Sequence, residues 1–419
     1  MKRTFLWLAL CAALAACHVS EAPEASRTLR LSPSAERQVN SFTGQDQQWP
    51  DVASNSQGDA VIVWDSYGQD GSHFGVYGQR FKNGVPVGPE FRANTYTTNR
   101  QNFAAVAMDG AGNFVVAWRS SRQQSNGGTI FAQRFAADGS PLGAEFQVGP
   151  ADSDYDSQSD PAVAMNRSGD FVIAWSNREL SEAAIKAGLN NVETRMIQAR
   201  VYAADGTART NPFDVMVRTP LSIVRVPAVA MDDAGKFAVA WISETNPTGI
   251  RLQRFAAAGS PSGVATTVSD ARDDAEFDHP ALAMNPAGDF VVGWEAVFYG
   301  SGLPDGIFFK RYTVTDGVYG AQQKAGIAGK APDFYERAAV ALGEDGEVLV
   351  AGQGNDRVYV QAFGRSDNPE TPVQVSKAAY AALFPAVSIG APGQAIVAWQ
   401  SFGEDGDGRG VFMTTVEMR

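Results

Sequence analysis

Carboxylates suited to a cation lie in two glycine-rich loops, one near each end of the chain. They are Asp70 in residues 68–71 (GQDG), and Asp405 and Asp407 in residues 403–407 (GEDGD). Glycines let the backbone turn tightly and present its carbonyl oxygens, and calcium prefers carboxylate and carbonyl oxygens as ligands. We therefore predict a weak calcium site formed by these three aspartates. The alternative is that each Asp-Gly pair forms an ordinary turn.

Two further loops in the middle of the chain are rich in acidic residues. Carboxylates on flexible loops suit calcium, yet neither run has the Asp-x-Asp-x-Asp-Gly spacing of an EF-hand or of the loops in integrin-like propellers. A solvated acidic surface is the alternative interpretation. The runs comprise Asp152, Asp154, Asp156 and Asp160, and Asp270, Asp273, Asp274, Glu276 and Asp278.

Sequence motifs for nucleophilic or metal-dependent catalysis are absent. The three histidines, His18, His73 and His279, lie in no Gly-x-Ser-x-Gly, His-Glu-x-x-His or P-loop pattern, and no other cofactor motif is found. The Ser-x-Asp-x-Gly-x-Thr-Trp box of sialidases is absent as well. Catalysis would therefore depend on carboxylates gathered from distant parts of the chain.

Arginines and exposed aromatic residues offer two other kinds of binding site. Arg80 and Arg134 favour an anion site, although Glu90 and Glu145 lie at plausible cross-strand positions and weak surface ion pairs are the interpretation we prefer. A third arginine, Arg254, occupies the same place in another copy of the segment. Phe298 and Tyr299, in a glycine-rich loop, either stack on a sugar or form a small local core.

A repeat of roughly 50 residues must position all these side chains. Each copy has an apolar run, a turn with glycine and a second β-branched run, which is the pattern of a β-hairpin. A tryptophan ends six of the seven copies, and we expect it to pack between repeats. Gly352 replaces it in the sixth copy, which should pack less well. The copies span residues 51–64, 105–118, 162–175, 228–241, 281–294, 339–352 and 386–399.

Two more strands follow each hairpin, for example residues 76–81 (VYGQRF) and 88–94 (GPEFRAN). A four-stranded unit repeated seven times predicts an all-β fold, a seven-bladed β-propeller of antiparallel blades over residues 31–419. The last copy ends after its third strand at residues 411–419, whereas residues 34–40 (SAERQVN) match a fourth strand. We therefore predict that an N-terminal strand closes the last blade, which also makes the loops of Asp70 and Asp405 neighbours.

The lengths of the connections predict two unlike faces. The turns between first and second strands, and between third and fourth, are short, whereas the other connections are longer and more varied. Binding residues concentrate on such loops, so the long-loop face is where function is expected. One long loop contains Ser176-x-x-Glu179, a pattern typical of a capping box, before an expected helix at residues 180–189. That helix would cover the channel, meet a partner or have no role in function.

The charge of the chain restricts its partners. The formal net charge is −12. Because a nucleic-acid partner requires basic residues to neutralise its phosphates, this charge argues against one. The excess of acidic residues suits an acidic, soluble surface or a site for cations.

The first residues resemble a bacterial export signal that ends in a lipobox. Lys2 and Arg3 precede a short apolar run at residues 5–14, and residues 14–17 read Leu-Ala-Ala-Cys. The resemblance to bacterial lipoproteins implies a signal peptide at residues 1–16, acylation of Cys17 and a flexible tether at residues 17–30. It also implies a location in the cell envelope, at the outer membrane. An ordinary secretory signal is the alternative.

The repeat itself resembles units of bacterial surface and secreted proteins with the core WxSxGxDGxGxGVxxQRF. Here that core stands at residues 64–81 and 399–412. The resemblance implies a scaffold rather than a reaction. The first hypothesis is a lipid-anchored propeller that binds a protein or glycan partner. The alternative is an envelope hydrolase or lyase that acts on glycans through carboxylates at the channel mouth.

Overall fold

The structure is a computed structural model that describes residues 29–124, 127–150, 157–180, 193–216, 224–244, 248–270, 274–299, 304–314, 317–326, 337–365 and 369–419. The signal segment, Cys17 and most of the tether lie outside these residues, as do Asp152, Asp154, Asp156, Asp273 and residues 181–192. Within the described residues, no helix has the length and apolar character needed to span a bilayer.

In the described ranges, twenty-nine strands form seven sheets, each of which is one blade. Two short strands come first, β1 (Leu31–Pro33) and β2 (Arg37–Gln38). Blade 1 contains β3 (Gln47–Ser54), β4 (Asp59–Tyr67), β5 (Phe74–Lys82) and β6 (Val85–Arg92). Blade 2 contains β7 (Gln101–Met108), β8 (Phe114–Ser121), β9 (Gly128–Phe135) and β10 (Phe146–Gln147). Blade 3 contains β11 (Ser157–Met165), β12 (Phe171–Leu180), β13 (Glu193–Tyr202) and β14 (Phe213–Asp214).

The remaining blades repeat this order. Blade 4 contains β15 (Val224–Met231), β16 (Phe237–Ser243), β17 (Gly249–Phe255) and β18 (Thr266–Thr267). Blade 5 contains β19 (Ala275–Met284), β20 (Phe290–Phe298), β21 (Gly306–Thr313) and β22 (Gly317–Lys324). Blade 6 contains β23 (Ala339–Leu342), β24 (Val348–Gly354), β25 (Arg357–Phe363) and β26 (Val373–Gln374). Blade 7 contains β27 (Ala382–Ile389), β28 (Gln394–Phe402) and β29 (Arg409–Met418).

The N-terminal segment closes the ring, as predicted. β1 pairs with β29 in the register Leu31↔Met418, and β2 pairs with the same strand through Arg37↔Met413. Blade 7 would otherwise end at an open strand edge, which is a template for aggregation. The prediction of a seven-bladed propeller with four-stranded blades is confirmed.

The inner hairpins turn by one recurring device. An Asn or Asp side chain at the start of the turn accepts hydrogen bonds from backbone N–H groups ahead of it, as Asp109 Oδ1 does from Ala111 (2.8 Å) and Asn113 (2.9 Å). The turn then needs a residue with positive φ, and Gly112 supplies it at 88°. Turns of this kind fix the register of the hairpins in blades 1 to 5, whereas Gly343 and Gly390 occupy the same position in blades 6 and 7.

The core lies between blades rather than inside any one of them. Tryptophans at the end of the second strands are buried, with at most 3% of their surface exposed, as predicted. Trp118 of blade 2, for example, packs in one cluster with Val61 and Val63 of blade 1. Burial of a large aromatic side chain in each interface makes the stability of each blade depend on its neighbours.

Two local predictions are wrong. Arg80 Nη1 donates to the carbonyl of Ala137 in blade 2 (2.9 Å), and Arg134 Nη2 donates to that of Ala204 in blade 3 (2.7 Å). Glu90 accepts from the N–H of Ser41 (2.8 Å) and Glu145 from that of Thr95 (2.6 Å), so these two arginines join blades instead of pairing with the glutamates. The capping box at Ser176–Glu179 is wrong as well, because these residues belong to β12 and pair with β13. Tertiary pairing overrode the local helix signal.

Candidate functional site at the channel mouth

The first strands of the seven blades surround a central channel with a volume of about 550 Å³. Six blades place an alanine at the start of the repeat, which makes the wall small and apolar, but blade 1 has Asp51 there. Burial raises the pKa of Asp51 to about 6, although the N–H groups of Val106 and Val52 donate to its carboxyl and oppose the shift. Asp51 thereby links the inner strands of blades 1 and 2.

The end of the channel on the short-turn face, called the floor here, is lined by the last residues of the first strands and by polar turn residues such as Asn55, Asp109 and Glu347, and it is crossed by an arginine. Arg167 of blade 3 forms ion pairs with Asp233 of blade 4 (3.7 Å) and with Glu344 of blade 6. The side chains above it belong to the last residues of the first strands. They are Ser54, Met108, Met165, Met231, Met284, Leu342 and Ile389.

At the opposite end, called the mouth here, seven equivalent residues have positive φ angles, between 45° and 62°. None of them is glycine, and one is the β-branched Val226, for which such an angle is a rare and strained conformation. In six blades the pairing of first and second strands shifts register at this point, which marks a β-bulge. The residues, called the bulge ring below, are Trp49, Phe103, Asp160, Val226, His279, Arg337 and Phe384.

The bulge ring is held from the preceding blade. The side chain that follows the repeat tryptophan accepts a hydrogen bond from a bulge N–H in the next blade. The clearest example is Asp65, whose Oδ2 accepts from Phe103 (2.7 Å) and whose Oδ1 accepts from Ala104 (3.3 Å). Gln400, Ser176 and Glu295 accept in the same way from three other bulges. Strain that the structure maintains at equivalent points of a cavity is typical of functional sites.

Burial makes Asp65 an unusual acid. It has no exposed surface, and burial raises its pKa to about 8, although the two N–H donors and the charge of Arg337 oppose the shift. Its hydrogen bonds to the N–H groups of Phe103 and Ala104 place Asp65 directly behind the bulge ring.

One side of the mouth is aromatic. Trp49 stacks on Phe103 with ring centres 5.1 Å apart, Phe74 follows at 6.3 Å from Trp49, and Tyr67 lies 5.0 Å from Phe74. All four rings are half-buried, and they are called the aromatic track below. The six repeat tryptophans are buried, so Trp49 is the one described tryptophan with substantial exposure.

The other side of the mouth is polar. His279 Nδ1 lies 3.4 Å from Glu295 Oε2 and 3.6 Å from Asp278 Oδ1. Asp278 is also held by Arg225, at 3.1 Å. The guanidinium of Arg337 lies 4.3 Å from the ring centre of Phe384, so it stacks on an aromatic face at the edge of the polar side.

The three aspartates predicted to bind calcium each have local partners. Asp70 accepts from the N–H of Ser72 (3.0 Å), Asp405 accepts from Asn40 Nδ2 (3.2 Å), and Asp407 accepts from the N–H of Gln45 (3.1 Å). Blades 1 and 7 are neighbours, as expected. Across the described parts of the chain, no group of three or more His, Cys, Asp or Glu side chains is placed to hold a metal ion. The calcium site stays a prediction.

The other candidates are dispersed over the long-loop face. Phe298 packs edge-on against Phe308 at 5.9 Å, so it belongs to a small local core, whereas Tyr299 is 60% exposed and donates to Glu276 (2.7 Å). His73 is exposed and lies 6.0 Å from Tyr67.

Sequence reasoning missed the bulge ring and the aromatic track. The signal was present, because five of the seven ring residues precede a proline at the start of a repeat. At this point the side chain differs from copy to copy while the following residues recur. Variation at one position of a regular repeat indicates where the copies have diverged in role.

Comparison with known proteins gives the fold. No protein-family model and no curated protein matches the chain significantly. The polysaccharide lyase Uly1 is similar in structure, with a TM-score of 0.54 and 12% identity over 90% of each chain. An ulvan lyase of a new polysaccharide lyase family, bound to -[GlcA(1-4)Rha3S]-, has a TM-score of 0.55 and 10% identity over 90% of this chain and 95% of its own. A protein of unknown function from Dyadobacter fermentans DSM 18053 has a TM-score of 0.51 and 11% identity over 93% of this chain and 99% of its own.

Proposed function

We propose that this propeller binds a carbohydrate chain at the channel mouth while Cys17 anchors it, through a lipid, in the bacterial outer membrane. The aromatic track carries the proposal. Four half-buried rings in series leave apolar faces exposed beside polar groups, which is the composition of a ligand site rather than of a core. Aromatic faces suit the apolar faces of sugar rings.

The structural neighbours support a glycan more than a protein partner. Uly1 is a polysaccharide lyase, and the ulvan lyase was solved with a sulfated glucuronate-rhamnose chain. At 10–12% identity the similarity shows only a shared fold, so the choice of a glycan as the ligand rests on the aromatic track. A protein partner is the outcome to expect if no glycan binds.

Substitution of Trp49 tests the proposal. The full mature chain, purified in detergent, is run through native gels that contain neutral or acidic polysaccharides. Affinity is taken from the retardation, because Trp49→Ala also removes the tryptophan that would report binding by fluorescence. We expect Trp49→Ala to weaken binding about tenfold or more, which corresponds to about 1.4 kcal/mol.

The matched control is Phe402→Ala. Phe402 is an exposed aromatic residue (58%) in blade 7 outside the aromatic track, so this variant should bind as the wild type does. Equal losses in the two variants, or no retardation of the wild type by any polysaccharide, would remove the glycan proposal.

Anchoring is tested separately. Cys17→Ser should release the protein from the membrane fraction and abolish incorporation of labelled palmitate. A wild-type protein that is freely soluble and unlabelled would support the secretory alternative instead.

A further inference from the structure

His279 and Glu295 form a histidine-carboxylate pair at the mouth. The Nδ1 atom of His279 lies 3.4 Å from Oε2 of Glu295, whose residue is only 8% exposed. The φ angle of 45° at His279 and the hydrogen bond from its own N–H to Asp278 (2.8 Å) fix the backbone that carries the imidazole. A carboxylate at Nδ1 favours the tautomer with the proton on that atom. The Nε2 atom then has a lone pair with which to accept a proton.

Glu295 also organises the neighbouring blade. Its Oε2 atom accepts a hydrogen bond from the backbone N–H of Arg337 at 3.2 Å. One buried carboxylate thus fixes a histidine and the backbone of an arginine on consecutive blades, both in the bulge ring and both lining the channel. The planar guanidinium of Arg337 suits recognition of a carboxylate.

We propose that His279, Glu295 and Arg337 together catalyse β-elimination on a uronate-containing glycan, an inference that rests on the proposed glycan binding. Arg337 binds the carboxylate of the uronate, which makes the proton on the adjacent C5 more acidic. His279 Nε2 accepts that proton, and the C5–H electron pair forms the C4=C5 double bond. The C4–O bond breaks, and the leaving oxygen takes the proton back from the imidazolium. Glu295 is a positioning residue.

The described side chains favour elimination over hydrolysis. Most glycosidases need two carboxyl groups that flank the scissile bond. In the bulge ring the described carboxylate is Asp160. Of the other carboxylates near the mouth, Asp51 and Asp65 accept from backbone N–H groups of blade 2. Glu295 is engaged with His279 and Arg337, and Asp278 with Arg225. Proton abstraction next to a carboxylate needs one base and one cation, and the polar side of the mouth has both.

The test uses the full mature chain in detergent with polygalacturonate, alginate and a glucuronate-containing polysaccharide. The unsaturated product is measured by its ultraviolet absorbance, total chain cleavage by new reducing ends, and binding by Trp49 fluorescence. We expect His279→Gln to lower turnover at least about 100-fold, the range for loss of a general base, while binding persists. Glu295→Gln should lower kcat with little change in KM, and Arg337→Gln should raise KM.

Glu417→Gln, the same substitution as Glu295→Gln at an exposed carboxylate of β29 paired with Arg419, is the matched control and should keep wild-type turnover. The inference is overturned if reducing ends form without ultraviolet absorbance, which indicates hydrolysis. It is also overturned if the wild type binds a uronate glycan and makes no product, a result that leaves the proposed function intact. If no glycan binds at all, both this inference and the proposed function are wrong. If His279→Gln does not fold, Glu295→Gln tests the inference instead, and an unchanged kcat in that variant would overturn it.

Discussion

The two ends of the channel are built from the same seven strands and differ in almost every respect. At the floor, four of the seven strands end in methionine and the others in Ser54, Leu342 and Ile389. At the mouth the equivalent residues are a tryptophan, two phenylalanines, an aspartate, a valine, a histidine and an arginine. The floor is repetitive and relaxed, whereas the mouth is diverse and strained.

The difference between the two ends distinguishes features that every repeat needs in order to fold from features that vary between repeats. At the floor, the Asn and Asp side chains of the turns accept hydrogen bonds from the turn's own N–H groups, so little backbone strain is stored there. Each positive φ at the mouth costs on the order of 1–3 kcal/mol. At four of the seven positions a side chain from the preceding blade holds the backbone, namely at Trp49, Phe103, Val226 and Arg337. Strain of this kind at the mouth is what we expect if, as proposed, the mouth binds the ligand while the floor contributes to stability.

Removal of residues 31–38 should have the largest effect, because it damages the scaffold that both ends share. The deletion exposes the whole edge of β29 and leaves blade 7 with three strands. We expect loss of the cooperative thermal transition and aggregation through the open edge. An unchanged melt with a monomeric elution profile would show that the ring closes without this strand.

Met231→Ala tests whether the floor serves stability alone. Met231 is 7% exposed, and truncation of a buried methionine costs about 2–5 kcal/mol. Chemical denaturation should show that loss, while the fluorescence response to a glycan matches that of the wild type. A variant that keeps its stability and loses the response would place the ligand at the floor.

Asp65→Asn should change how stability depends on pH. The pKa of Asp65 in the folded state, about 8, lies above its ordinary value of 3.8, so the folded state holds a proton that the unfolded state has lost. The contribution of this group is complete below about pH 4 and is lost as the pH rises to about 8, by at most about 1.4 kcal/mol per unit.

Urea denaturation between pH 5 and 9, in intervals of roughly one unit, checks this loss. The Asp65→Asn curve should be flatter than that of the wild type over this range. Parallel curves would mean that the carboxyl does not hold its proton against solvent.

Val226→Asn should have the smallest effect and the opposite sign. Asparagine tolerates positive φ better than a β-branched residue, so relief of the 51° conformation should raise the free energy of unfolding by about 1 kcal/mol. Val264→Asn is the control, since Val264 is 84% exposed and not among the residues with positive φ. Equal changes in the two variants would contradict the claim that the mouth is strained.

The sequence was sufficient for the architecture because the repeat encodes each hairpin locally. The tryptophans, the glycine turns and the strand-like residues near Arg37 could all be recognised one repeat at a time. The arrangement of the mouth could not be predicted in this way, because its contacts join residues of different blades. Nothing near Phe103 in the chain indicates that Asp65 holds its backbone, and Arg80 was matched to Glu90 because pairing within a blade is easier to predict than pairing between blades.

The position of β1 sets how the molecule would sit on a membrane. Leu31 lies opposite Met418, at the short-turn edge of blade 7, and the chain then runs toward the long-loop face. If Cys17 is lipidated as we propose, the tether would join the domain on its short-turn side, which is the side opposite the mouth.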